Sequence, residues 1–246
     1  MRRILLVTLF LLAFCVVAVG SVSANTLPWP PKGFKLEFGV DGKTEIIPPG
    51  QLKPTDDGFV LSEKITKRFE DKDGVTTAIV TIEALKSEYD PVLTWAASAI
   101  DFGAPSTFTF ETSSPMNPAL GAPVSYKIGL SGSYADSKDG GSLTPNGTFG
   151  TMDVSLNGVY IDGVGTAASY GDGEVGTYGP FTKTGTYNGG TPPYTDFDIR
   201  FAFKGSGGED AYGLTGRFEV VPEPSILLLL GAGLLGVAGL RRKFKK

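Results

Sequence analysis

Twenty-six carboxylates, no histidine and a single cysteine set the chemistry open to this 246-residue chain. Without histidine there is no Ser-His-Asp or Cys-His catalysis, no imidazole base near neutral pH and no histidine-ligated metal. Cys15 lies inside an apolar N-terminal run, so the rest of the chain carries no thiol. Several acids fall in glycine-containing turns: Asp71/Asp73, Asp136/Asp139, Asp172/Glu174 and Glu209/Asp210. Such oxygen-rich loops suit Ca²⁺, which takes about 6–8 oxygen ligands, although none has EF-hand spacing. The same residues also form turns without any metal. Asp136 and Asp139 are the candidate calcium pair, and no other cofactor is called for. Tyr170, Tyr178, Tyr187 and Tyr194 are candidate glycan-stacking rings, with core packing as the alternative. Glycoside hydrolysis would need two carboxylates at a set separation, and no pair stands out along the chain. The expectation is a protein that is not an enzyme.

The two ends read as targeting segments. Met1-Arg2-Arg3, an apolar run from Ile4 to Gly20 and the small-residue site Val22-Ser23-Ala24 form a secretory signal over residues 1–24, cut between Ala24 and Asn25. An uncleaved anchor is the alternative. At the other end, residues 221–246 hold Val221-Pro222-Glu223-Pro224-Ser225, the apolar stretch 226–240, and Arg241-Arg242-Lys243-Phe244-Lys245-Lys246. Fifteen apolar residues make about 22 Å of helix, short of a ~30 Å hydrocarbon core, but snorkelling lysines and local thinning close the gap. The terminal positive charges, with Arg241, Arg242 and Lys243 as the stop, keep that end in the cytoplasm and leave the rest outside.

Pro222-Glu223-Pro224, a short Leu/Gly/Ala helix and an arginine cluster together resemble the PEP-CTERM sorting signal of Gram-negative bacteria that make extracellular polysaccharide. The resemblance implies a partner, an exosortase: a transpeptidase-like membrane enzyme that recognises Pro222, Glu223 and Pro224 and cuts near them. It further implies an inner-membrane-anchored precursor and a product at the cell surface or in the extracellular matrix, associated with exopolysaccharide or biofilm. A Ca²⁺-assisted, lectin-like module and an unprocessed single-span membrane protein are the alternatives.

Between the signals, residues 25–221 carry 15 basic and 25 acidic residues, a formal charge of −10. That balance argues against nucleic acid as a partner. Residues 25–220 show recurring period-2 alternation: Phe34 to Val40, then Asp41-Gly42, then Lys43 to Ile47; Phe59 to Phe69 and Val75 to Leu85 around Asp71–Gly74; and Phe197, Ile199, Phe201 and Phe203 against Asp196, Asp198 and Arg200. Such patterning predicts an all-β passenger, an antiparallel sandwich or jelly-roll-like domain, flanked by a signal helix and a transmembrane helix. The Gly/Ser/Thr-rich stretch 134–190 reads as long loops with short strands, where binding sites tend to sit.

Overall fold

A computed structural model describes residues 33–89, 91–138 and 140–221. The signal segment 1–24 with Ala24 and Asn25, the tail with Pro222, Glu223, Pro224, the apolar stretch 226–240 and Arg241, Arg242 and Lys243, and the acid Asp139 lie outside the described residues. Among the described residues, no helix is long and apolar enough to cross a membrane.

Sixteen strands run through the described chain. They are β1 (Lys35–Val40), β2 (Lys43–Ile46), β3 (Leu52–Pro54), β4 (Gly58–Leu61), β5 (Ile65–Glu70), β6 (Thr76–Glu88), β7 (Val92–Asp101) and β8 (Thr107–Leu120). The second half adds β9 (Val124–Ala135), β10 (Gly141–Pro145), β11 (Met152–Leu156), β12 (Val159–Val164), β13 (Ala168–Tyr170), β14 (Val175–Tyr187), β15 (Tyr194–Lys204) and β16 (Asp210–Val221). One sheet has the order β12-β11-β15-β8-β1-β2, with β10 on β15 and β13 on β10. The other has the order β14-β9-β16-β7-β6-β4-β3, with β5 on β6. Every pairing is antiparallel. The two sheets pack face to face as a β-sandwich.

The alternation in the sequence explains which face goes inside. Phe108 and Phe110 of β8 and Phe197, Ile199, Phe201 and Phe203 of β15 are all buried. They meet Leu93 and Trp95 of β7 and Tyr212, Leu214 and Phe218 of β16 in one core. The Trp95 ring stacks on Phe201 at 4.6 Å and meets the Phe110 ring edge-on at 5.6 Å. Each such buried ring contributes roughly 1.5–3 kcal/mol, which makes this aromatic layer the main cohesive element between the sheets.

The Asp41-Gly42 hairpin forms as the sequence predicts. Both residues have positive φ, 51° and 80°, as a two-residue turn matched to strand twist requires. The Asp71–Gly74 turn also forms, with the Asp71 carboxylate accepting the Asp73 and Val75 amides at 2.8 and 3.0 Å. The single strand expected over Phe59–Phe69 instead divides into β4 and β5, both of which pair with β6. A register shift in β6 between Ile82 and Ala84 bends it at that point, so one straight partner cannot follow its full length.

The stretch 134–190 is richer in strand than its composition predicts. It holds β10 to β14, including a 13-residue strand. Two of its strand glycines are places where tyrosine rings lie across a neighbouring strand. A Cβ on Gly176 would stand 2.4 Å from the Tyr134 hydroxyl, and one on Gly185 2.4 Å from that of Tyr126. Each is the cross-strand partner of that tyrosine. Such glycines belong to sheet packing, in the manner of aromatic rings covering strand glycines, and alternation does not reveal them.

Side chains also clamp the sheets together at one edge. Asp162 of β12 accepts the Tyr126 hydroxyl of β9 at 2.6 Å and the Lys183 ammonium of β14 at 2.5 Å. Burial, and then the Asp162 carboxylate, push the Tyr126 hydroxyl up to about 12. Burial alone would raise Asp162, but the bonds from Lys183, Tyr126 and the Gly163 amide outweigh it and hold the carboxyl below its ordinary value.

Candidate functional site

The outward face of the β12-containing sheet gathers polar side chains in register. Arg200 of β15 stands opposite Asp153 of β11 on one side and Glu111 of β8 on the other, and Glu111 faces Glu37 of β1. One step along, Asp198 stands between Ser155 and Ser113, with Lys35 beyond Ser113. These are the residues that alternate with the buried phenylalanines of β8 and β15. Their placement outside follows from the core, because successive side chains on a strand point to opposite faces.

A cleft of about 280 Å³ opens over these rows, lined by Glu111, Ser113, Ser155, Gly158, Tyr160, Asp196, Asp198 and Arg200. Its wall is set by the Asn157-Gly158 turn joining β11 and β12, where both residues take positive φ. The Asn157 side chain ties that turn to the start of β15. It donates to the Pro193 carbonyl at 3.1 Å and accepts the Thr195 amide at 2.8 Å. Tyr160, just beyond, is 39% exposed and lies beside Arg200 in the cleft lining. Arg200 is held from behind by Asp153 at 3.9 Å. Asp153 is fully buried, and its two oxygens accept the Thr148 and Phe149 amides at 2.6 and 2.8 Å.

Asp198 accepts the Ser155 hydroxyl at 2.6 Å. Burial pushes its carboxyl above the ordinary range, and the nearby charges of Asp196 and Glu111 push it the same way against hydrogen bonds from Ser113 and Ser155. The arrangement offers one partly exposed aromatic ring, a guanidinium, two hydroxyls and three carboxyls around an open space. Such a set can stack on an apolar ring face and make directed hydrogen bonds to a polyol.

The residues singled out in the sequence lie elsewhere. Tyr170, Tyr178 and Tyr194 are buried. The Tyr170 ring stacks on Tyr134 at 3.8 Å, the Tyr178 hydroxyl donates to the Thr166 carbonyl at 2.6 Å, and that of Tyr194 to the Gly189 carbonyl at 2.6 Å. Tyr187 is half-buried against Tyr194, with ring centroids 5.8 Å apart. Tyr170, Tyr178 and Tyr194 are packing elements, and the reading of them as part of an exposed stacking platform is corrected: buried rings offer no free face to a sugar.

Asp136 is buried, and its carboxylate accepts the Gly173 amide at 2.6 Å and the Gly140 amide at 3.3 Å. It ties the turn after β9 to the turn before β14, which is the turn role the sequence allowed. Asp136 also contacts Asp210, and Asp210 stands opposite Asp101 across β16 and β7. Among the described residues, no group of three or more His, Cys, Asp or Glu side chains is placed to hold a metal ion.

The cleft residues Glu111, Ser155, Tyr160, Asp196, Asp198 and Arg200 were not singled out as a site by the sequence reading. Their one sequence signal is the polar half of an alternating strand, which looks like any solvent-facing side.

The pattern of the PEP-CTERM protein-sorting motif matches residues 220–243. The motif implies export and processing by an exosortase, a membrane protein, from a membrane-anchored precursor. Its first two residues, Val220 and Val221, are the last two of β16. No curated protein matches the chain. Among solved structures, the chain is similar at 16% identity to TmCBM61 in complex with β-1,4-galactotriose, over 66% of this chain and 90% of that one, with a TM-score of 0.27. It is similar at 14% identity to a CBM4 structure, over 55% and 88%, with a TM-score of 0.25. It is also similar at 11% identity to a cyclase from Fischerella sp. TAU in complex with 4-(1H-indol-3-yl)butan-2-one, over 76% and 89%, with a TM-score of 0.28. TM-scores this low carry no argument about ligands.

Proposed function

From a chain that carries a PEP-CTERM sorting motif, we propose an exported, non-enzymatic surface or matrix protein whose β-sandwich binds exopolysaccharide. The tail anchors the precursor in the inner membrane, an exosortase cuts near Pro222-Glu223-Pro224, and the released sandwich joins the extracellular matrix or biofilm. One observation carries the binding half of this reading: the cleft that brings the Tyr160 ring, Arg200, Ser113, Ser155 and three carboxyls around one open space. Pyranose rings need an aromatic face for their C–H side and planar polar groups for their hydroxyls. Each group named can meet a sugar through its own ring face or hydrogen bonds, so this reading calls on no calcium.

Sorting is tested by replacing Pro222 and Pro224 with alanine in the native host. The variant should accumulate in the inner membrane with Lys246 retained, while the natural chain appears in the matrix with an intact mass ending near Pro222–Pro224. Normal processing of the variant would overturn the recognition claim. Binding is tested by retention of the full chain on the host's own exopolysaccharide, with and without EDTA. Retention should survive EDTA and be lost in Tyr160→Ala. No retention in either condition would reject the binding half, and release of new reducing ends would replace it with a hydrolase.

A further inference from the structure

The charge around the cleft is lopsided in a way that selects among saccharides. Arg200 is the one cation in its lining, and its charge is answered from behind by the buried carboxylate of Asp153. Glu111 shares Lys35 with Glu37, and the ammonium lies nearer to Glu37, at 2.9 Å, than to Glu111, at 3.5 Å. Asp196 and Asp198 have no such partner: among the described residues no lysine or arginine pairs with either. Their neighbours are hydroxyls, Thr195 for Asp196 at 2.9 Å and Ser155 for Asp198 at 2.6 Å. Opposite them stands the Tyr160 ring, whose face also attracts cations.

We propose that the cleft takes a saccharide carrying free amino groups, with an ammonium seated between Asp196 and Asp198, Glu111 further along the rows, and the sugar ring against Tyr160. This rests on the glycan-binding reading of the same cleft and names its ligand class. An ammonium there supplies the positive charge that the carboxyls lack. It also offsets the charges of Asp196 and Glu111, which add to burial in holding the Asp198 carboxyl up. An acidic sugar meets three carboxyls and an arginine whose charge is already answered, so uronic acids and sulfated units are rejected.

The test compares three oligosaccharides on the full chain in non-ionic detergent, below the pKa of the amine: a tetramer of β-1,4-glucosamine, its fully N-acetylated form and tetragalacturonate. The free amine should bind at least about tenfold tighter than the acetylated form, and the gap should shrink as salt is added. The double variant Asp196→Asn/Asp198→Asn should close most of that gap, read as the ratio of the two affinities in the same variant. Asp56→Asn/Asp73→Asn makes the same charge change far from the cleft and should leave the gap intact, which separates the cleft from attraction to an acidic protein in general. Equal binding of the amine and acetyl forms, a preference for tetragalacturonate, or an equal effect of the remote double variant would overturn the inference while leaving the glycan site standing. Binding of none of the three, together with no retention on the host polymer, would bring down the site itself.

Discussion

Two groups of acids in this sandwich differ in what answers their oxygens. At one end, Asp101 accepts the Ser106 and Gly207 amides, each at 3.0 Å, Asp136 accepts the Gly140 and Gly173 amides, and Asp210 accepts the Ser206 and Tyr212 hydroxyls. These carboxyls hold loops onto strand ends. On the outer face of the other sheet, Glu111, Asp196 and Asp198 line an open cleft beside a ring and a guanidinium. The contrast teaches that carboxylate count and loop location, which pointed to Asp136, do not distinguish an acid that ties turns together from one that faces open space. What matters is whether an acid's partners close over it, as amides and buried hydroxyls do at Asp101, Asp136 and Asp210, or stand around an open space that leaves room for a ligand.

The sharpest test of that contrast is stability. Asp101→Ala leaves two buried amides without their acceptor and should cost about 3 kcal/mol in urea unfolding, whereas Asp196→Ala should stay within about 0.5 kcal/mol. Similar losses for both would erase the distinction between structural and cleft acids. Next in size, Tyr160→Ala should weaken polysaccharide binding by about 2 kcal/mol, the scale of an aromatic anchor, and leave the unfolding midpoint unchanged. A drop in midpoint would make Tyr160 a packing residue like Tyr170. Of comparable or smaller size is Asp162→Ala, which orphans the Tyr126 hydroxyl between the sheets and should cost about 1–3 kcal/mol.

The pH dependences run in opposite directions at two acids. Burial holds Asp210 above its ordinary value, with Asp136 alongside adding to the effect. A raised value means the folded chain holds that proton more tightly than the unfolded one, so this contribution is present in full below the ordinary carboxylate value and is lost as pH rises through the folded value. Asp162 is held below its ordinary value, so its contribution is present above that value and is lost as pH falls through the folded one. Melting curves from about pH 3 to pH 7 should therefore show Asp210→Asn more stable than the natural chain at neutral pH, with the gain shrinking on acidification. Asp162→Asn should be less stable at neutral pH, with the deficit shrinking on acidification. Deficits of the same sign and pH trend for both would mean that the two acids play the same role after all.

Much of the architecture was legible because it depends on neighbours in sequence. The Asp41-Gly42 turn, the alternation of Phe197, Ile199, Phe201 and Phe203, and the Pro222-Glu223-Pro224 tail are all local patterns. The stretch 134–190 misled because its strands are glycine-rich where Tyr126 and Tyr134 cross them, so the usual alternation of large apolar residues is missing. The glycan candidates misled for a related reason. Tyr170 and Tyr178 sit among glycines and turn residues, but the Tyr134 ring of β9 stacks on Tyr170 and Phe181 of the same strand packs against Tyr178.

By itself, the sequence determined the β class, the inward and outward faces of most strands and the sorting motif of the tail, since period-2 alternation and a linear motif are properties of contiguous residues. Only the tertiary structure decided which polar residues gather around the cleft. Asp153, Arg200 and Glu111 become neighbours through the pairing of β11, β15 and β8, and the Asn157-Gly158 turn sets Tyr160 at the wall above them. Strand register across long sequence separations is fixed by the burial of whole faces, and no local pattern records it.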